Sequence, residues 1–216
     1  MTRLPHRTLL VVLVIASAIP RTVLAQATAA PRAPDEPHAE ALASQERQER
    51  EVLAAAEQLA TEAEQLIEQW IASQTITEAR MFARLYFPIP STDPQKYSTS
   101  YDKLAERDLV APEDKTLARS PALLYAILTD INGYVPAHNT RFAQQLTEDN
   151  AQNYITNRTK RILGDPASLL AARSEAHHLL QRTKVETGDV IYDLSVPVTV
   201  RGKHWGCARI GYRRTE

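Results

Sequence analysis

Residues 178–214 read HLLQRTKVETGDVIYDLSVPVTVRGKHWGCARIGYRR. Turn-forming residues at Glu186–Asp189 and Arg201–Lys203 divide this stretch into three extended runs. The middle run, Val190–Val200, is rich in β-branched residues and partly alternates apolar with polar side chains, which is typical of a strand with one buried face. Each turn contains a glycine, which tolerates positive φ and suits a tight antiparallel connection. The stretch therefore predicts a three-stranded antiparallel meander.

A second group of strands is predicted upstream of the meander. The run Ala122–Ile131 (ALLYAILTDI) is apolar enough to indicate a central strand that is buried on both faces. Asn132-Gly133 follows it, and this dipeptide is the strongest short signal for a hairpin. The returning strand would be Tyr134–His138, with Pro136 marking an edge or a bulge. Together with the meander, these runs predict an α+β fold with a five-stranded antiparallel sheet.

The first 25 residues have the features of a secretory signal peptide. A basic start precedes Leu9–Ile19, an apolar core that is too short to span a bilayer comfortably, and small residues suit cleavage after Ala25. We therefore expect a periplasmic or secreted mature protein. An uncleaved membrane anchor is the alternative.

A linker and a long helix are predicted to follow. Residues 26–37 are rich in Pro and Ala and are expected to be disordered. A helix is predicted over residues 38–75, because His38–Ser73 contains no Gly or Pro and consists mostly of strong helix formers. Its apolar stripe indicates packing along its own domain. The thin apolar face of its first turns leaves open a second role in pairing two subunits as a homodimer.

The remaining segments are less regular. Prolines after Phe87 predict extended or turn structure. Short helices are predicted within Tyr97–Leu109 and Leu169–Arg173, and Thr147–Leu163 is expected to be partly helical. These segments, with the strands around them, form residues 76–216, which we predict to be one domain.

Composition and charge exclude several classes of protein. The net charge of −1 and the lack of a basic aromatic stripe give no support for nucleic-acid binding. Cys207 is the only cysteine, so an internal disulfide and a metal cluster built on cysteine are both excluded. We expect Cys207 to be a buried structural thiol.

Several motifs occur in a characteristic order along the chain. They are Thr129–Asn139 (TDINGYVPAHN), Asn157–Arg161 (NRTKR), Asp193–Pro197 (DLSVP), Gly202–Gly206 (GKHWG) and Arg209–Tyr212 (RIGY). This series resembles the extracytoplasmic sensory module of a group of bacterial methyl-accepting chemotaxis proteins. The resemblance implies a single Cache domain, which is a PAS-like fold that senses small ligands outside the membrane.

The resemblance spans residues 82–213 and also has departures. Chemoreceptors contain a transmembrane segment, an adaptor domain and a cytoplasmic signalling hairpin, and we expect this chain to act without them as a free-standing sensor or binding module. Its output would be passed by contact to a membrane receptor or kinase. The loops at Leu146–Asp149 and Leu163–Pro166 depart from the family pattern, and we expect them to differ in structure.

The candidate ligand-binding residues are those in or near the motifs that can hold a polar solute. An arginine can bind a carboxylate through two parallel hydrogen bonds, and an aromatic ring can wall a cavity. These residues are Tyr125, Asp130, Tyr134, His138, Arg158, Arg161, Asp193, Trp205 and Arg209, with Lys160 in the same basic group. In a PAS-like fold the ligand would lie between the sheet and the loops, beside Trp205 and Arg161, and a carboxylate or another polar metabolite is expected. The alternative is a buried pair of Arg161 with Asp193 or Asp130.

No enzymatic activity is predicted. His138 and His204 match no metal-ligand or catalytic spacing, and no Ser or Cys lies in a nucleophile elbow. The cofactor is unknown, and a haem or metal site through either histidine is one alternative. A ligand-free scaffold that docks a membrane partner through the long helix is another. The adjacent pair His177-His178 is predicted to chelate poorly, because neighbours on a strand point to opposite faces.

Overall fold

The structure of the chain is a computed structural model that describes residues 36–184 and 190–214. The signal peptide predicted for residues 1–25, most of the predicted linker, and the turn at Glu186–Asp189 lie outside the described residues. Within the described ranges, no helix combines the length and the apolar character needed to cross a bilayer.

The described residues form an α+β fold. Its helices and strands, in chain order, are α1 (Glu36–Ala72), α2 (Glu78–Met81), β1 (Phe87–Ile89), β2 (Lys96–Ser98), α3 (Asp102–Asp108), α4 (Val110–Leu117), β3 (Leu123–Asp130), β4 (Tyr134–Val135), α5 (Asn150–Thr156), β5 (Arg161–Ile162), α6 (Pro166–Arg173), β6 (Leu179–Lys184), β7 (Val190–Val200) and β8 (Lys203–Tyr212).

The main sheet contains the predicted meander. Its strand order is β3-β8-β7-β6, and every neighbouring pair is antiparallel. Arg201 and Gly202, with φ angles of 51° and 70°, form the tight turn that joins β7 to β8. Positive φ at both central positions matches the right-handed twist of the strands that the turn connects.

The predicted five-stranded sheet is wrong, because the main sheet has four strands within residues 36–184 and 190–214. Strand β4 pairs with β5 instead, with Tyr134 opposite Ile162. The cause is the Asp130 carboxylate, whose Oδ1 accepts hydrogen bonds from the backbone N–H groups of Asn132 (2.9 Å) and Tyr134 (3.1 Å). These bonds turn the chain away from β3 directly after the strand ends.

The prediction that β3 lies at the centre of the sheet is also wrong, because β3 is an edge strand. Two side chains cover its outer edge. Glu113 Oε1 accepts from the Leu128 N–H at 3.0 Å, and Asn139 Oδ1 accepts from the Ala126 N–H at 2.9 Å. Burial raises the pKa of Glu113 well above its ordinary value. A covered edge lets β3 be as apolar as a central strand.

The two faces of the main sheet carry different kinds of side chain. Side chains alternate along a strand, and Leu128, Leu194 and Ile210 lie in the core beneath α1. Their neighbours on the opposite face include Tyr125 and Arg209. This second face is partly covered by α6 and carries the candidate site.

A bulge changes this alternation near the start of β8. The register between β7 and β8 shifts between Val198 and Thr199, opposite Trp205. As a result, the Trp205 ring lies on the α1 side, edge-on to Tyr101 with ring centroids 6.0 Å apart. His204 instead contacts α6, where its Nε2 donates to the Ala172 carbonyl oxygen at 2.8 Å.

Helix α1 is fixed to the β7–β8 turn by two of its glutamates. Glu64 Oε1 accepts from the Thr199 N–H at 2.6 Å, and Glu68 Oε1 accepts from the Arg201 N–H at 2.7 Å. Together with the apolar contacts of its second half, these bonds pack α1 against its own domain, as the stripe predicts. The pairing of subunits through α1 stays a prediction.

Candidate functional site

A cavity of about 270 Å³ lies on the sheet face opposite α1. Strands β3 and β8 form one wall, and the loops and helices between β4 and α6 form the other. The lining residues are Tyr125, Ile127, Val135, His138, Tyr154, Arg158, Arg161, Leu163, Ser168 and Arg209. Five of the predicted site residues are therefore brought together here.

A glycine in the sheet wall of the cavity leaves space for an aromatic ring. Gly211 lies directly opposite Tyr125 in the β3–β8 register. A Cβ atom at Gly211 would lie 2.2 Å from the Tyr125 ring, so the ring occupies the space that a side chain would otherwise fill. The Tyr125 hydroxyl donates a hydrogen bond to Asp193 Oδ2.

A buried ion pair lies beneath this wall. Arg209 donates from Nη2 to Asp193 Oδ2 at 2.6 Å and from Nε to Oδ1 at 3.3 Å. Burial lowers the pKa of Arg209, but the Asp193 carboxylate outweighs this and leaves the pKa raised. The predicted alternative, a pair of Arg161 with Asp193 or Asp130, is wrong in its arginine: the partner of Asp193 is Arg209.

The loop wall contains Arg158 and Arg161. Arg161 Nη2 donates to the carbonyl oxygens of Asn153, Tyr154 and Asn157 at 3.0, 3.1 and 2.5 Å. It therefore caps the C-terminal end of α5, where free carbonyl groups favour a cation. Burial and then the charge of Arg158 lower the pKa of Arg161. Two guanidinium groups thus lie close together without a carboxylate among the residues that line the cavity.

His138 is a neutral group in this cationic wall. It is 4% exposed, and its ring packs edge-on against Phe142 with centroids 4.9 Å apart. Burial, followed by the charges of Arg158, Arg141 and Arg161, lowers the pKa of His138 to about 3. At neutral pH the imidazole can offer a hydrogen-bond acceptor but adds no positive charge.

Three polar atoms of cavity residues have no hydrogen-bond partner within the described part of the chain. They are Nδ1 of His138, Nε of Arg161 and Nη1 of Arg209. A buried polar group without a partner costs about 1–3 kcal/mol. The three residues line one cavity, and small rotations of their side chains would let a polar molecule there, water or ligand, supply the missing partners.

A second cavity of about 530 Å³ adjoins the first and shares four of its residues: Tyr125, Tyr154, Ser168 and Arg209. Its other walls come from β6, β7 and the start of α6, and they include Asp193 and Asp165. The charge therefore changes along the sheet face, from cationic beside His138 to mixed beside β6.

The other predicted site residues lie elsewhere. Asp130 is fully buried on the α1 side, where its Oδ2 accepts from Tyr86 and Tyr101. Tyr134 donates to Asp102 Oδ1 at 2.6 Å. Trp205 lies in the α1-side core and does not line this cavity, which was expected beside Trp205 and Arg161. Its other expected neighbour, Arg161, does line the cavity.

Lys160 also lies away from the cavity lining. Its φ angle is 58°, and its Nζ is 2.8 Å from Glu106 Oε1. The strained backbone turns Lys160 from Arg158 and Arg161, although the three residues are close neighbours in sequence.

Sequence reasoning missed Ile127, Val135, Tyr154, Leu163 and Ser168 as lining residues. Ile127 was detectable, because it is two residues from Tyr125 on the same strand and therefore shares its face. Tyr154 is 62% exposed and lines both cavities, but its helix α5 has no strong apolar pattern that would fix its orientation.

The metal and thiol alternatives have limited support in the geometry. No group of three or more His, Cys, Asp or Glu side chains within residues 36–184 and 190–214 is arranged to hold a metal ion. Cys207 is buried, and burial raises its pKa to about 12, which suits the expected structural thiol.

Comparisons with known proteins give little further information. No protein-family model matches the sequence, and no curated protein matches it. Among solved structures, the chain is similar to one described as an extracellular ligand binding receptor from Desulfohalobium retbaense DSM5692, with 13% identity and a TM-score of 0.35. The match covers 76% of this chain and 24% of that chain. A likeness of this degree carries no argument for function.

Acidification should destabilise the protein through His138. Its folded-state pKa of about 3 is below the ordinary value of 6.5, so between these values the unfolded chain binds a proton that the native chain does not. As the pH is lowered through this window, the free energy of unfolding should therefore decrease, by up to about 1.4 kcal/mol per pH unit from this residue. Urea denaturation across the pH range should show a shallower dependence for His138→Gln, whereas His38→Gln, on the exposed start of α1, should behave as wild type. Equal slopes for wild type and His138→Gln would contradict the assignment.

Proposed function

We propose that this chain is an exported sensor module of the Cache, or PAS-like, type and that its cavity binds a small carboxylate. The observation that supports this most strongly is that His138, Arg161 and Arg209, which line one cavity, each carry a nitrogen atom without a hydrogen-bond partner among the described residues. Two of these are guanidinium donors, and guanidinium groups bind carboxylates through charge-assisted hydrogen bonds. The neutral imidazole adds an acceptor for a hydroxyl or amine group of the ligand.

The charge of the lining supports an anion over a cation. Three arginines and no acid line the cavity; of the two acids in the adjoining cavity, Asp193 and Asp165, the first is already paired with Arg209. The volume of about 270 Å³ is just below the range of roughly 300–1,000 Å³ that is typical of pockets for drug-sized ligands. A small metabolite therefore suits the space better than a nucleotide or a peptide.

The position of the cavity supports a role in signalling. Arg209 contributes to the cavity, whereas its neighbours Ala208 and Ile210 in β8 lie in the core beneath α1. A ligand that repositions Arg209 would act on the strand against which the long helix packs. We propose that α1 passes this change to a membrane receptor or kinase partner.

We also propose that the chain has no enzymatic activity. In support, neither His138 nor His204 is hydrogen-bonded to a hydroxyl, thiol or carboxylate group among the residues that the structure describes. A nucleophile activated by a neighbouring base requires such a contact.

Thermal shift measurements with matched compounds test the proposed ligand class. Propionate, lactate, pyruvate and succinate would each be compared with the corresponding neutral amide. At least one acid should raise the melting temperature, and its amide should not. If no acid in a wider panel gave a shift, or if acid and amide gave equal shifts, the carboxylate proposal would be wrong and the ligand-free scaffold would be favoured.

The variant Arg158→Gln should bind the carboxylate at least tenfold more weakly. Arg158 lines the cavity, and its hydrogen bond within the protein is a 3.3 Å contact from Nε to the Ile155 carbonyl oxygen. The loss of one charge-assisted hydrogen bond of about 1.5–3 kcal/mol corresponds to this factor or more. Calorimetric titration would measure it, with Arg182→Gln on the exposed face of β6 as the matched control. Arg161 is a poorer choice, because its removal would also uncap α5.

A further inference from the structure

Two imidazole rings meet on the surface between α6 and β6. The Nδ1 atoms of His177 and His178 are 3.2 Å apart, whereas the ring centroids are 5.5 Å apart. The two nitrogen atoms therefore lie on the facing edges of the rings. The sequence-based prediction of a poor chelate is wrong in its premise, because β6 begins at Leu179, His177 lies in a bend, and His178 lies between that bend and the strand. The bend allows both rings to turn to one side.

A glutamate lies beside the first of these rings. His177 Nε2 lies 3.3 Å from Glu57 Oε1 on α1. A proton on Nε2, facing this carboxylate, leaves Nδ1 of the neutral ring to accept a hydrogen bond from His178 Nδ1–H, and metal binding would require His178 to shift that proton to its own Nε2. Histidines that bind metal ions are commonly held in this way by a carboxylate on the second nitrogen.

The separation of the two nitrogen atoms fits a shared ion. Two nitrogen ligands that are each about 2.0–2.1 Å from a tetrahedral zinc ion are about 3.3 Å apart. The observed 3.2 Å is the length of a hydrogen bond between the two rings and is also close to this value, so an ion that replaced the shared proton could bind with small rotations of two exposed side chains. His178 also lines a surface cavity of about 280 Å³ together with Glu46, Glu49 and Arg50, and both glutamates are paired with arginines.

We propose that His177 and His178 form a surface site for one divalent transition-metal ion, with Glu57 as a positioning residue. Imidazole nitrogen suits Cu²⁺, Zn²⁺ and Ni²⁺ rather than Mg²⁺ or Ca²⁺. Because no third protein ligand is in place among the described residues, water completes the coordination and the affinity is moderate. The site is separate from the carboxylate cavity and does not depend on the proposed function.

The test uses the untagged full-length chain and the metal ions alone. Electron paramagnetic resonance with one equivalent of Cu²⁺ should show two coordinated imidazole nitrogens, and calorimetry should show one Zn²⁺ bound per chain and no binding of Mg²⁺. The single variants His177→Ala and His178→Ala should each lower the Zn²⁺ affinity at least tenfold. His38→Ala, which also removes an exposed histidine, should leave it unchanged.

A separate variant tests whether Glu57 is a positioning residue. Glu57→Gln should lower the Zn²⁺ affinity about tenfold, as is typical when the partner of a ligating histidine is lost, while the Cu²⁺ spectrum still reports two nitrogens. A wild-type spectrum without two imidazole nitrogens, or Zn²⁺ binding that His178→Ala leaves intact, would overturn the proposal.

Discussion

The variant Arg209→Met is expected to lose about 3–5 kcal/mol of its free energy of unfolding, because it leaves a buried carboxylate without its cation. Arg209 and Asp193 are 5% and 7% exposed, and two hydrogen bonds join them. In the variant, Asp193 keeps the hydrogen bond from the Tyr125 hydroxyl but loses the guanidinium charge that stabilises its carboxylate. Urea denaturation followed by tryptophan fluorescence would measure the loss, since Trp70 and Trp205 are both buried.

A double variant separates the ion pair from simple packing. Arg209→Met with Asp193→Leu removes both charges and should recover at least half of the lost stability, because apolar replacements of a buried ion pair are often close to neutral. The pair would not have the proposed energetic role if Arg209→Met cost less than about 1 kcal/mol, or if the double variant were less stable than the single one.

Replacing Asp130 with alanine should cost more than about 3 kcal/mol, at roughly 1–3 kcal/mol for each buried donor left without an acceptor. Its two oxygens accept from the Tyr86 hydroxyl (2.5 Å), the Tyr101 hydroxyl (2.9 Å), and the backbone N–H groups of Asn132 and Tyr134. Tyr101 and Tyr134 are fully buried and have no access to water in place of this carboxylate. The turn after β3 should therefore lose its order together with stability.

Asp130→Asn is the matched control for this effect. The amide oxygen can still accept from the two backbone N–H groups, and the amide N–H₂ can donate to the phenol oxygens. We expect less than half of the loss seen with alanine, and if the alanine variant fails to fold, the asparagine variant should still fold cooperatively. An asparagine variant that is as unstable as the alanine variant would show that charge, and not hydrogen bonding, is what Asp130 supplies.

The part of the fold that local sequence determines was predictable. The meander followed from turn residues and β-branched runs, and the long α1 followed from a run of strong helix formers without Gly or Pro. The position of β3 in the sheet was not predictable, because a strand whose edge is covered is as apolar as one at the centre of a sheet. Glu113 and Asn139 cover that edge from other segments, and only the tertiary structure brings them there.

The site was predictable where the alternation of side chains applies. Tyr125 and Arg209 share a face, and an odd separation of five residues already places Asp130 on the opposite face from Tyr125. Trp205 could not be placed in this way, because the bulge at Val198 and Thr199 reverses the alternation without an evident signal in the sequence. The loop arginines were grouped correctly by the motif that contains them, but the capping of α5 by Arg161 depends on a helix that the sequence indicates only weakly.

A crystal structure of the protein with the acid that gives the largest thermal shift would test the central claim most directly. The account predicts the carboxylate in the cavity between the sheet and the loops, within hydrogen-bond distance of at least two of Arg158, Arg161 and Arg209. The claim would be contradicted if, at saturating concentration, the acid were bound elsewhere and these guanidinium groups contacted only water.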